Sequence, residues 1–105
     1  MVTSGQLIQL IKKSVRATDP DATLILFGSY ARGDQKPDSD IDILVLIDKD
    51  KITFDDRERI SNPLYDLELE TEQQISPVIF SRKNWETKYR ITPFYQNVNR
   101  DGIVL

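Results

Sequence analysis

The chain has 105 residues, of which 39% are hydrophobic and 30% are charged, and its formal net charge is -3. This length is close to the commonest domain size, so we expect residues 1–105 to form a single domain with one modest core. The composition is too polar for a membrane protein and too rich in aliphatic and aromatic residues for disorder. The longest apolar run, Ile43 to Ile47, is far shorter than the ~20 residues of a transmembrane helix.

The chain contains no cysteine and no histidine, which excludes zinc fingers, disulfide scaffolds, thiol nucleophiles and histidine acid–base chemistry. Any bound metal is expected to have oxygen ligands, which Mg²⁺ and Mn²⁺ prefer. The first residues lack the basic and apolar segments of a signal peptide, and we expect a cytoplasmic protein. The negative net charge does not support nonspecific nucleic-acid binding.

The first half of the chain predicts a helix, a strand, a loop and a second strand. Residues 4–18 place apolar side chains at helical spacing, and residues 22–27 form a short apolar run typical of a buried strand. Residues 28–40 are rich in glycine and aspartate, which predicts a loop with at most one helical turn. Residues 40–48 predict a central strand, because the far half of this segment is apolar on both faces.

The second half predicts a long helix at about residues 53–71 and a third strand at 74–81. Two short helices are expected at about 82–89 and 93–100, and residues 103–105 either add a strand or pack on the core. Thr53 and Asp56 have the spacing of a capping box, and Pro63 is expected to kink or restart the long helix. Pro77 places the third strand at an edge or a bulge. The pattern predicts an α/β fold, a small mixed sheet with helices mainly on one side.

Two carboxylates, Asp40 and Asp42, stand two residues apart at the start of the second strand. Side chains at this spacing point to the same face with roots about 7 Å apart, so both can approach one metal ion or bracket a pair. Mg²⁺ typically takes one or two protein carboxylates and completes its shell with water and phosphate oxygens. Alternatively, residues 38–40 form an ordinary Asx-type turn, which explains Asp42 poorly because that residue lies inside an apolar strand.

A glycine and a serine, Gly28 and Ser29, follow the first predicted strand. A glycine at this point allows the backbone to approach a ligand closely, and amide groups with the serine hydroxyl can hold phosphate oxygens. The alternative is an ordinary tight turn, which is the better interpretation of an isolated Gly-Ser pair. Neither a P-loop nor a Rossmann glycine motif occurs in the chain.

Together, the two segments are more specific than either one alone. Residues 28–33 are Gly-Ser-Tyr-Ala-Arg-Gly, and residues 39–42 are Ser-Asp-Ile-Asp. This combination resembles the signature of the DNA polymerase β-like nucleotidyltransferase superfamily, in particular its minimal nucleotidyltransferase branch. Weaker resemblance extends to residues 94–102. The resemblance implies the nucleotidyltransferase fold.

The resemblance also implies an activity and its residues. Gly28 and Ser29 would hold the triphosphate of ATP or another nucleoside triphosphate, Arg32 would pair with a phosphate, and Asp40 and Asp42 would ligate Mg²⁺ or Mn²⁺. An acceptor hydroxyl would attack the α-phosphorus and release pyrophosphate. The minimal branch commonly acts as the antitoxin beside an all-helical HEPN-type toxin, which implies a protein partner that is also a candidate acceptor.

One departure from the family pattern concerns a third carboxylate, which a later strand usually supplies. Residues 73–80 contain neither Asp nor Glu. Ser76 is expected near that position, and Glu70 or Glu72 would have to reach in from the preceding segment. The alternative function is therefore a catalytically impaired module that keeps the fold and binds nucleotide or protein.

Three aromatic residues near the C-terminus, Trp85, Phe94 and Tyr95, have side chains that can stack on a nucleobase. Aromatic residues of a small domain more often build the core, and this is the interpretation we favour for all three.

Overall fold

A computed structural model describes residues 2–105. Its helices are α1 (Ser4–Thr18), α2 (Ser29–Arg32), α3 (Phe54–Thr71), α4 (Arg82–Glu86) and α5 (Pro93–Asp101). Its strands are β1 (Thr23–Phe27), β2 (Ile41–Ile47), β3 (Ile75–Ser81) and β4 (Ile103–Val104). Each expected helix and strand is present, and the last segment forms a strand. Over the same residues, no helix has the length and apolar character needed to cross a membrane.

The strands form one mixed sheet in the order β3-β2-β1-β4. β2 pairs in parallel with β3 and antiparallel with β1, and β4 pairs antiparallel with β1. The predictions of a central β2 and an edge position for the strand with Pro77 are confirmed. A proline is tolerated at an edge because one side of that strand needs no ladder hydrogen bonds.

Alternation along β2 divides the core into two layers. Ile41, Ile43, Val45 and Ile47 pack in one buried cluster with residues of the two long helices, α1 and α3. Leu44 and Leu46 pack on the opposite face with Trp85 of α4 and Val98 of α5. The long helices thus share one face, as expected, and α4 and α5 cover the other.

The long helix α3 begins at the predicted capping box. The Thr53 hydroxyl accepts a hydrogen bond from the Asp56 amide at 3.2 Å, and the Asp56 carboxylate accepts one from the Thr53 amide at 2.9 Å. The helix continues through Pro63 as one element, so of the two expected outcomes, a kink or a restart, the restart is wrong. Ile60 and Leu64 are buried on either side of the proline, and this packing outweighs its missing hydrogen bond.

The helix expected over residues 82–89 is shorter in the structure and ends at Glu86. The Thr87 hydroxyl donates a hydrogen bond to the Lys83 carbonyl at 2.7 Å, and the Tyr89 amide donates to the Asn84 carbonyl at 3.0 Å. These bonds satisfy the last carbonyls and turn the chain away from the helical path.

Candidate functional site

The two predicted carboxylates lie where β2 begins, on the face of the sheet that carries Leu44. Asp42 is paired across the sheet with Phe27 of β1 on one side and with Ser76 of β3 on the other. Asp40 directly precedes the strand, and its carboxylate accepts a hydrogen bond from the Ser76 hydroxyl at 3.2 Å. The strand period therefore brings both acids to one face, as the spacing predicts.

The bend after β1 lies directly against this acidic pair. Gly28 has φ +71° and ψ -155°, a backbone conformation that is essentially restricted to glycine. A Cβ atom added at this position would overlap the Oδ2 atom of Asp42 and lie 3.2 Å from its Cγ. The glycine is needed here for two reasons, the positive φ and the close approach of the Asp42 carboxylate.

The loop after the bend contains the expected single helical turn, α2. The amides of Ala31 and Arg32 donate to the Gly28 carbonyl, both at 3.1 Å. The first amides of a helix, here those of Ser29 and Tyr30, have no acceptor within the helix and point from its N-terminal end. Their position next to Gly28 places two hydrogen-bond donors beside the acidic pair.

The charges of the acidic pair are not neutralised by the rest of the described chain. No salt bridge within residues 2–105 includes Asp40 or Asp42, and the Arg32 guanidinium pairs instead with Asp34 at 3.3 Å. Partial burial raises the pKa of Asp42, and the nearby charge of Asp40 raises it further. Arg32 opposes this rise only as the smallest of the three causes.

The loop before β2 also bears on the alternative interpretation as an Asx-type turn. The turn exists, but its hydrogen bonds come from Ser39 and Lys36: the Lys36 amide donates to the Ser39 hydroxyl at 2.8 Å, and the Ser39 amide donates to the Lys36 carbonyl at 3.0 Å. The Asp38 and Asp40 carboxylates take no part in these bonds. The turn therefore does not account for the acidic side chains.

Ser76, the residue expected near the position of a third carboxylate, lies opposite Asp42 on the neighbouring strand β3. Nowhere in the described part of the chain do three acidic side chains come together in a way that could hold a metal ion. Glu70 and Glu72 are exposed, and Glu72 ends α3 in a left-handed conformation. Two carboxylates without a cationic partner still match the donor set of Mg²⁺, which needs only one or two from the protein.

A pocket of ≈ 210 Å³ adjoins the bend and is formed in part by α5. Its lining includes Gly28 and Arg32 from the loop, Phe27 from β1, and Phe94, Asn97 and Asp101 from α5. Sequence reasoning did not single out Asn97 and Asp101. The signal was their i, i+4 spacing beside the apolar Phe94 and Val98 stripe, which predicts that they share the edge of one helix face.

The three aromatic candidates have different surroundings. Trp85 is buried, its ring lies 5.5 Å from that of Phe94 and 4.9 Å from that of Tyr95, and all three belong to the core layer under α4 and α5. The core interpretation is therefore confirmed. Phe94 also lines the pocket, and its ring meets that of Phe27 edge-on at 5.2 Å.

Comparison with known sequences gives a family match over most of the chain. Residues 8–96 match a family described as a nucleotidyltransferase domain. MJ0141 of Methanocaldococcus jannaschii, a candidate protein adenylyltransferase, is 34% identical over 79 residues, which cover 73% of this chain and 79% of that protein. A bifunctional uridylyltransferase/uridylyl-removing enzyme of Pseudomonas savastanoi is 39% identical over 62 residues, 57% of this chain but only 7% of that enzyme.

Comparison with solved structures identifies the same fold. A toxin–antitoxin crystal structure with AMP-PNP has a TM-score of 0.63 and 24% identity, covering 97% of this chain and 72% of that chain. A mutant of the MntA–HpeT toxin–antitoxin has a TM-score of 0.58 and 24% identity, covering 100% and 72%. The expected nucleotidyltransferase fold is confirmed.

Proposed function

This chain belongs to the nucleotidyltransferase domain family, and on that premise we propose that it transfers a nucleoside monophosphate from a nucleoside triphosphate, preferentially ATP, to a hydroxyl group of a protein, with Mg²⁺ or Mn²⁺ as cofactor. Residues 1–105 act as a single domain in this proposal. The observation that carries it is the pair Asp40 and Asp42, brought to one face beside Gly28 and left without a cation from the chain.

The chemistry of the donor set supports the choice of metal. Asp40 and Asp42 would hold the divalent ion, which supplies positive charge for the phosphates and for the pyrophosphate that leaves. Partial burial disfavours the ionised form of Asp42 and the like charge of Asp40 adds repulsion, and together they raise the pKa of Asp42. A bound cation removes this repulsion and therefore binds at a place that the folded chain has already prepared.

The remaining site residues position the nucleotide. Gly28 lets the backbone approach the triphosphate, and Ser29 contributes its hydroxyl and amide as donors to phosphate oxygens. Arg32 is exposed and paired only with the exposed Asp34, so exchanging that partner for a phosphate costs little. An acceptor oxygen then forms a bond to the α-phosphorus, the bond to pyrophosphate breaks, and the hydroxyl proton passes to a carboxylate or to water.

Two relatives support the nucleotide and the acceptor. One structural relative was crystallised with AMP-PNP, and the M. jannaschii relative carries the name of a protein adenylyltransferase. We propose an antitoxin-like role in the cytoplasm with a small all-helical HEPN-type partner, in line with the toxin–antitoxin assemblies that share the fold. Purification with the partner, followed by mass spectrometry, tests this role: incubation with ATP and Mg²⁺ should add one AMP group to the partner.

Thermal unfolding tests the site itself. Mg²⁺ and ATP together, at a hundredfold excess over the dissociation constant, should raise the melting temperature of the wild-type chain by roughly 10 °C. The double variant Asp40→Asn/Asp42→Asn should show no such rise. Asp38→Asn is the matched control, because Asp38 is an exposed acid in the same loop, and it should respond like wild type. An equal response of wild type and double variant would contradict both the metal site and the transferase.

A second candidate function is a module that binds nucleotide without turnover, and Ser76 at the third-carboxylate position favours it. Pyrophosphate release in the presence of the partner separates the two functions, because binding alone releases none. If the wild-type chain turns over slowly, Ser76→Asp should raise its rate of release on the order of 10²-fold by supplying a missing base. Ser76→Asn is the control, because asparagine has the shape of aspartate without its charge, and it should not increase the rate of pyrophosphate release.

A further inference from the structure

The pocket between the Gly28 bend and α5 has no role in the transfer described so far. We infer that this pocket binds the ribose and base of the nucleotide, with Asn97 recognising the edge of the base. The inference rests on the proposed function, because it takes the triphosphate to lie at Gly28 and Ser29. It adds the part of the molecule that distinguishes one nucleotide from another.

The position of the pocket is the first argument. Gly28 and Arg32 line it, and the same two residues border the proposed phosphate site. Phe27, which forms another wall, is the direct cross-strand partner of Asp42. α5 covers the face of the sheet to which Asp40 and Asp42 point. A nucleotide held by its phosphates at the bend therefore has this pocket beside it.

The second argument is the chemistry of the walls. Phe27 and Phe94 give the pocket an aromatic side, and flat apolar ligand groups such as bases pack on such walls. The Asn97 side chain is exposed and forms no hydrogen bond with any described residue. Its amide offers donors and an acceptor together, the combination that matches the edge of adenine.

Asp101 completes the polar side of the pocket. Both of its carboxylate oxygens accept hydrogen bonds from Arg100, at 3.0 and 3.2 Å, and these bonds lower the pKa of Asp101. An ionised carboxylate keeps further lone pairs for the hydroxyl groups of a ribose. Asn97 and Asp101 are one helical turn apart on α5, so they present their polar groups to the same ligand.

Calorimetric titration with two probes tests the inference: Mg²⁺-ATP, and Mg²⁺-tripolyphosphate, which has neither ribose nor base. The wild-type chain should bind ATP at least about 10-fold more tightly than tripolyphosphate. Asn97→Ala should weaken ATP binding about 10-fold, the worth of one or two hydrogen bonds, and leave tripolyphosphate binding unchanged. Asn99→Ala is the matched control, because Asn99 is an exposed asparagine of α5 that does not line the pocket.

The outcomes separate this inference from the proposed function. If wild type binds both probes and Asn97→Ala binds ATP as tightly as wild type does, the inference is wrong and the phosphate site stands. If wild type binds ATP and tripolyphosphate with equal affinity, the inference is likewise wrong and the phosphate site stands. If wild type binds neither probe, the proposed function itself fails. Loss of ATP binding in Asn99→Ala as well would show a general effect on α5 and overturn the assignment of Asn97.

Discussion

The aspartates near the two ends of β2 have opposite electrostatic surroundings: Asp56 of α3 lies near the end of the strand, and Asp40 and Asp42 lie at its start. Asp56 lies close to Ile47, where the strand ends, and is only 3% exposed. Its carboxylate accepts hydrogen bonds from Lys49 and Arg59, both at 2.7 Å, and from the Thr53 amide at 2.9 Å. These donors hold the pKa of Asp56 well below its usual range.

Where the strand starts, Asp42 has the opposite environment. Burial raises the pKa of Asp42, and the charge of another acid, Asp40, raises it further. The chain places lysine and arginine around one carboxylate and leaves the other pair with a serine and a glycine. A structural acid has its charge balanced by the chain, whereas an acid left unbalanced at a glycine bend is prepared for a ligand.

The largest expected effect on stability and ligand binding concerns Gly28, in the bend beside Asp42. Gly28→Ala should destabilise the chain by about 2 kcal/mol, because alanine is strained at this φ and ψ, and should also displace the Asp42 carboxylate. Stabilisation by Mg²⁺ and ATP should then be lost. Gly33→Ala is the matched control: Gly33 also has a positive φ of +79°, but no atom lies within 4 Å of an added Cβ.

Gly33→Ala should therefore cost only about 1 kcal/mol of backbone strain and keep the full response to Mg²⁺ and ATP. Chemical denaturation and thermal unfolding with and without ligand measure both quantities. If Gly28→Ala kept the ligand response, close contact between the bend and Asp42 would not matter for binding, and the contrast between the two ends of β2 would lose its functional meaning.

Local rules accounted for most of the fold. The apolar character of both faces predicted that β2 is central, and Pro77 predicted an edge strand or a bulge, of which the edge is observed. The helix starts at Thr3 and Thr53 follow from capping chemistry that acts over three residues. The long helix was predicted, but the restart offered as one alternative at Pro63 was wrong, because packing on both sides of Pro63 acts through the tertiary structure, which a local rule does not contain.

The candidate site was predictable only where its parts are close in sequence. Asp40 and Asp42 come from one strand, so their spacing predicted that they share a face, and the resemblance of residues 28–33 and 39–42 to the superfamily signature placed Gly28 beside them. Asn97 and Asp101 line the pocket beside Gly28 from a helix about seventy residues further along the chain, and that helix reaches the bend only through the packing of Val98 and Phe94 on the sheet. Local sequence patterns contain no information on such a long-range contact.

An intermediate effect on the melting temperature is expected for Asp56, near the end of β2. Asp56→Asn removes two ion pairs and weakens the cap of α3, so it should lower the melting temperature at neutral pH by several degrees. Because folding lowers the pKa of Asp56, its contribution is complete above the unfolded-chain value of about 3.9. The contribution is lost as the pH falls below that value, so wild type and variant should converge in acid.

Asp55→Asn provides the control for this measurement, because Asp55 is the exposed neighbour in the same first turn. It should change the melting temperature by little at any pH. A pH-independent difference between wild type and Asp56→Asn would mean that shape rather than charge holds this end of the structure.

The smallest expected effect is that of Asp42→Asn in the absence of divalent metal, which should raise the melting temperature rather than lower it. Because folding raises the pKa of Asp42, ionisation of this group opposes folding above its folded-state pKa and has no effect below about pH 3.9. The variant should therefore melt about 2 °C higher than wild type at pH 7, and the difference should vanish in acid. Adding Mg²⁺ and ATP should reverse the order, because only wild type gains a ligand. If Asp42→Asn instead destabilised the metal-free chain at pH 7, Asp42 would be a structural acid like Asp56.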